Sequence, residues 1–202
     1  MTQSYKYRIS ESIIGCANDE YELSQTEYAS LYSFFVTYSM CDRQSFKKRS
    51  FIDYGWKTNS IQVVDVVDKK KIVTNLGEAL VSVIDFSKNS NFIFTREDNL
   101  NELFKNNNLA DGMLNNYDIE RCVISKTPGS NRYLKLFHRI RNGLAHGKFL
   151  LKLSSTNEKM VVIQDDDGTN VTARLVLRLS TLLRFICIID IKKLIEFEPY
   201  TQ

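Results

Sequence analysis

Apolar positions recur at a helical period through most of the chain and begin to alternate only after Gly147. In TEYASLYSFFVTYSM, Leu31, Phe34, Phe35 and Tyr38 fall on one helical face, and their rings are expected to be core. Ser24, with Glu27 three residues on, forms a capping-box signature at the start of that helix. A second helix is expected around Gln44–Lys57, carrying Phe46, Ile52 and Trp56, and a third in NLGEALVSVIDFS. Between them SIQVVDVV is strand-like, and Asp68–Lys71 reads as a turn before IVTN. Residues 88–116 are rich in asparagine and read as loop around one capped helix, TREDNLNELF, while DIERCVI reads as a short helix. Pro128-Gly129 is a clear break, and RYLKLFHRIRNGLAHG after it is helical. FLLKLS, KMVVIQD and VTARLVLRL then alternate, predicting a three-strand antiparallel meander with a polar turn at STNE and an acidic turn at DDDGTN. Ser180 is expected to cap a last apolar helix, TLLRFICIIDIKKLIEF, ended by Pro199. The fold class expected is α+β, mainly α, in a single domain over residues 1–202.

Projected at about 100° per residue, the helix before the meander has two distinct sides. Tyr133, Phe137, Ile140 and Leu144 form a core stripe, while His138, Asn142 and His146 gather opposite it, flanked by Lys135 and Arg139. Arg141 sits at the border, so Arg141, Asn142 and His146 can address one surface outside the core. A structural reading competes: cations in a last turn complement the helix dipole before a C-cap glycine. Gly143, inside this helix, costs on the order of 1 kcal/mol relative to alanine and marks tight packing or local distortion.

Composition narrows the function classes. The 202 residues carry a net charge of +3, which permits an anionic partner without demanding one. The four cysteines, Cys16, Cys41, Cys122 and Cys187, are scattered with no paired spacing, so no zinc site and no metal is expected, and Cys187 reads as buried and inert. No apolar run is long enough to span a bilayer, and the N-terminus has no signal-peptide core; a cytoplasmic protein with free thiols is expected. The Asp165–Asp167 run reads as a turn rather than a ligand cluster, and Arg174 is undecided between solvent and an acidic partner.

Arg141-Asn142-Gly143-Leu144-Ala145-His146, followed by Gly147, resembles the R-x4-6-H motif of the HEPN superfamily of ribonucleases and toxins. The downstream KFLLKLSS, KMVVIQDDDG and NVTARLVLRLSTLLRFI resemble the HEPN branch of plasmid-encoded and defence-associated proteins, in which a β-meander and a terminal helix follow the motif. The resemblance covers residues 131–197, and residues 24–130 only as helices that would complete a bundle. It implies a HEPN-type helical bundle and a metal-independent endoribonuclease, a toxin or anti-phage defence effector, with no cofactor. In that family the ribose 2′-hydroxyl is the nucleophile. His146 would transfer the proton, Arg141 would grip the scissile phosphate, and Asn142 would orient the histidine or hold a phosphate oxygen. His138, Lys135, Arg139 and Lys148 would line the RNA groove. A homodimer with a composite cleft is implied, and an antitoxin or sensor protein as partner. Two features depart from the family. Lys148 stands where one subgroup carries a modifiable tyrosine, and Gly143 replaces a bulkier residue.

Two rival functions remain. One is a non-catalytic HEPN module that binds RNA or protein as a regulator. The other is a winged-helix DNA-binding regulator that uses residues 58–86, with Lys69–Lys71 on the duplex.

Overall fold

A computed structural model describes residues 19–40, 49–56, 76–96, 100–111, 113–125 and 131–190. The chain divides into two compact units, one drawn from Met1–Glu22 and Asn91–Arg178, the other from Leu23–Ser90 and Leu179–Gln202.

The first unit is a five-stranded mixed sheet with helices on both faces. Its strands are β1 (Phe92–Thr95), β2 (Arg121–Ser125), β3 (Phe149–Leu153), β4 (Lys159–Asp166) and β5 (Val171–Arg178), in the order β1-β2-β5-β4-β3. β1 and β2 are parallel, and α3 (Leu100–Asn106) lies between them in sequence. The remaining pairs are antiparallel. Because strand side chains alternate, each strand serves two layers. Val123, Leu150, Met160, Val162 and Val176 face one way and pack with Phe104, Leu109 and Leu114 from α3 and the chain after it. Their neighbours in sequence face the other way, toward α4 (Arg132–Ala145), which packs on β4 and β2. Asn131 caps that helix, its Oδ1 accepting from the Tyr133 and Leu134 amides.

The free edge of β3 is covered by residues 19–20. Glu20 donates its amide to Leu151 O at 2.8 Å, Asp19 Oδ1 accepts from Leu151 N, and the Glu20 carboxylate takes Leu153 N and Lys152 Nζ. The amide of Leu153 and then the Lys152 ammonium hold the Glu20 carboxyl below the ordinary range. Such cover blocks edge-to-edge pairing.

In the second unit α1 (Gln25–Leu31) has its capping box in place, with Ser24 Oγ and the Glu27 carboxylate each accepting the other's amide. The helix widens into a π-helical turn over Tyr32–Thr37, where Phe34 and Phe35 are buried. α5 (Leu179–Ile189) packs on α1 and on α2 (Leu76–Val83), and Trp56 donates Nε1–H to Ile189 O at 2.9 Å.

The α+β class and the antiparallel meander followed by a helix are as the alternation predicted. Several expectations are corrected. DIERCVI forms β2 rather than a helix, because its apolar residues join a sheet with neighbours on both faces and lose their amphipathic signature. The asparagine-rich loop contains β1. Asp165 and Asp166 belong to β4, so the acidic turn begins only at Asp167. β5 runs into α5 with no cap residue, and Ser180 lies inside the helix. Cys187 is half-buried rather than buried. Of Gln44–Lys57, residues 49–56 contain only a short 3-10 turn at Ile52–Tyr54. The strand, turn and basic run at 58–75 and the residues up to Pro199 lie outside the described residues.

Candidate active site

All the candidate residues but His146 and Lys148, which directly follow it, lie on α4, which Gly143 brings unusually close to the sheet. A Cβ at that position would stand 2.2 Å from Ile163 Cγ2 and 3.1 Å from Gln164 O. The glycine is the price of that approach, as the sequence suggested.

α4 ends in a Schellman arrangement. Lys148 N donates to Gly143 O at 2.8 Å and Gly147 N to Leu144 O, with Gly147 at φ 66° in the left-handed region. His146 is the C-cap; its backbone N–H donates to Asn142 O at 3.0 Å, and its side chain is exposed. The small residues of Ala145-His146-Gly147 thus present an imidazole at the helix end.

One turn back, two polar residues of α4, Arg139 and Asn142, converge on a carboxylate of β4. Asp165, with its side chain 3% exposed, accepts Arg139 Nη1 at 2.5 Å and Asn142 Nδ2 at 3.2 Å, both on Oδ2. Arg139 Nη1 also donates to Thr172 Oγ1 at 2.8 Å, and Nη2 to Ser125 O. The register slips between Asp165 and Asp166, paired with Ala173 and Val171, which leaves Thr172 as the extra residue of a bulge and turns its hydroxyl to Asp165 O.

Arg141 Nη1 donates to Asn142 Oδ1 at 2.9 Å, and Asn142 Nδ2 lies 3.3 Å from His138 Nε2. This fixes the amide. A guanidinium can only donate and a carboxylate only accept, so Oδ1 faces Arg141 and Nδ2 faces Asp165. The second Nδ2 hydrogen then requires an acceptor on His138, which makes the neutral Nδ1–H tautomer the one that fits. The charges agree. Burial, then Arg139 and Lys135, hold the imidazole below its ordinary pKa, with Asp165 opposing and Arg141 adding to the depression. Lys135 is lowered as well, by burial first and then by Arg139, with Asp165 opposing.

The structure therefore gathers Arg141, Asn142, His138 and Arg139 into one network. The His146 side chain stands outside it, joined through the backbone to Asn142. Lys148 pairs with Asp166. Burial raises the Asp166 carboxyl, but the Lys148 hydrogen bond and the Gly168 amide outweigh it and the net shift is downward. Asp165 and Thr172 were missed in the sequence. The period-2 pattern of β4, extended past Ile163, would have put Asp165 on the α4 face.

Elsewhere the concavities hold different chemistry. One of about 410 Å³ along α1 is lined by Gln25, Thr26, Ala29, Ser30 and Ser33 and contains no titratable side chain. Another, of about 180 Å³, is lined by five asparagines with Ile119 and Arg121, whose guanidinium already donates to three main-chain carbonyls. Among the described residues no group of three or more His, Cys, Asp or Glu is placed to hold a metal, and no helix is long and apolar enough to cross a membrane.

No family model matches this chain, and no curated protein or solved structure matches it.

Proposed function

We propose that the protein is a metal-independent endoribonuclease of HEPN type whose active site is the C-terminal half of α4. The observation that carries this reading is the hydrogen bond from Arg141 to an Asn142 amide that is itself anchored, one turn before an exposed His146. An arginine tethered in this way has its guanidinium held in one orientation, which lessens the rotamer search needed to meet a phosphate. His146, open to solvent at the helix end, would take the proton of a ribose 2′-hydroxyl. The 2′-oxygen then bonds to phosphorus, the 5′-oxygen leaves and takes up a proton, and the product carries a 2′,3′-cyclic phosphate. Arg141 would counter the charge that builds on the non-bridging oxygens.

In this reading two copies of α4 meet across a two-fold axis and share one groove, the HEPN bundle being completed between protomers. A toxin or defence effector restrained by an antitoxin or sensor fits that chemistry.

The test is RNA cleavage in EDTA. Wild-type protein should cut RNA and leave cyclic phosphate ends, while His146→Ala and Arg141→Ala should each lose at least about 100-fold in rate, the scale of one acid–base or oxyanion-type contact. Cleavage surviving His146→Ala sinks the assignment.

A second reading, an RNA- or protein-binding regulator without catalysis, is favoured by one observation. Arg139 and Lys148, two of the cations expected to face RNA, are engaged by Asp165 and Asp166. Binding by the intact protein with no cleavage would select it.

A further inference from the structure

We infer that Asp165 is a positioning residue of the α4 site, setting the side-chain amide of Asn142 and, through it, Arg141 and His138. Its catalytic consequence rests on the ribonuclease reading above; its geometric content does not.

Asp165 lies on β4, outside the motif, and its side chain is almost wholly buried beneath α4. One oxygen, Oδ2, accepts from both Arg139 and Asn142. Arg139 has Thr172 Oγ1 and Ser125 O as further acceptors, so the carboxylate is shared between this arginine and Asn142 rather than given to the arginine alone. A terminal amide has two nearly isosteric orientations, and an unanchored one can turn over. With Asp165 in place, turning Asn142 would bring its Oδ1 against a carboxylate and its Nδ2 against the Arg141 guanidinium. Both contacts are repulsive. Asp165 thereby holds Oδ1 on Arg141 and an N–H on His138 Nε2. Among the described residues, the charged groups acting on His138 are Lys135, Arg139 and Arg141 from its own helix and Asp165 from β4, so Asp165 supplies an anion to a cationic set.

Two variants separate positioning from charge neutralisation because they are ordered oppositely by the two roles. Asp165→Asn keeps an oxygen where Oδ2 lies but leaves Arg139 without a counter-charge. Arg139→Met combined with Asp165→Leu removes the pair together, a change that buried ion pairs often tolerate in stability, but strips Asn142 of its anchor. If Asp165 positions Asn142, Asp165→Asn retains the single Nδ1–H tautomer of His138 in nitrogen-detected NMR. The double variant, folded by thermal melt, shows mixed tautomers and a kcat lowered about 100-fold with KM little changed, the scale of a roughly 1 Å misplacement. If the double variant keeps the wild-type His138 tautomer and Asn142 amide signals, or if Asp165→Asn loses them, the inference is overturned.

Should the double variant not fold, Arg139→Gln decides. With Asp165 still on Asn142 the tautomer persists, and its loss overturns the inference. If wild-type protein does not cut RNA, the ribonuclease reading fails, while the NMR comparison still decides the role of Asp165.

Discussion

His138 takes its tautomer from a neighbour rather than from solvent. Its Nε2 accepts from Asn142, so protonating the ring sets an N–H against an NH2 group and breaks the contact. Burial and the cations of α4 push the imidazole below its usual value near 6.5, against the pull of Asp165. In acid, the unfolded chain therefore binds this proton more readily than the folded one. The stability conferred by the neutral ring is complete above about pH 6.5 and is lost as pH falls through the lowered folded value. The melting temperature should drop over that window, and His138→Gln, which can still accept from Asn142, should flatten the drop. An unchanged slope in the variant would remove His138 from the account. Little of this was legible in sequence. The helical projection put His138, Asn142 and Arg139 on one side of α4, which was right. It also set that side outside the core, because one helix's periodicity carries no knowledge of a buried acid brought up from a strand.

At the scale of elements, the contact of α4 with β4 hinges on Gly143. Alanine there would gain on the order of 1 kcal/mol in helix propensity. It would also drive its methyl into Ile163 Cγ2 and toward Gln164 O. Overpacking of this kind costs about 1–3 kcal/mol, so Gly143→Ala should be net destabilising by denaturant melts. The loss should shrink in an Ile163→Ala background, and equal losses in both backgrounds would mean that the helix does not press on β4 at that point. Because the Gly143 contact sets the depth of α4, a helix lifted by even a fraction of an ångström would also lengthen the Asn142 and Arg139 bonds to Asp165. The glycine was legible as a mark of tight packing because glycine inside a helix has a known cost. β2 was misread for the opposite reason: a strand buried on both faces has no alternation to find.

The whole molecule was legible in its later part and obscure before it. The meander and its closing helix follow from alternation and turn signals local to residues 147–190. The pairing of β2 with β5, and of β1 with β2, joins segments distant in sequence, and no local pattern specifies it. That sheet order has a kinetic consequence. β3, β4 and β5 are linked by short turns and can zip in sequence, whereas β2 must close the whole interval from Ser125 to Val171 before it gains its ladder on β5. Loop-closure entropy and contact order place such a step late. Ile163→Ala should therefore slow folding, while Ile124→Ala should chiefly speed unfolding, as read from the two arms of a stopped-flow chevron. The reverse partition would place β2 in the nucleus. With the expected order, α4 enters the chain after β2 and before the meander, and it meets Asp165 only once the strand carrying that charge has paired. Until then the acid remains hydrated, and its desolvation is deferred to the step that supplies Arg139.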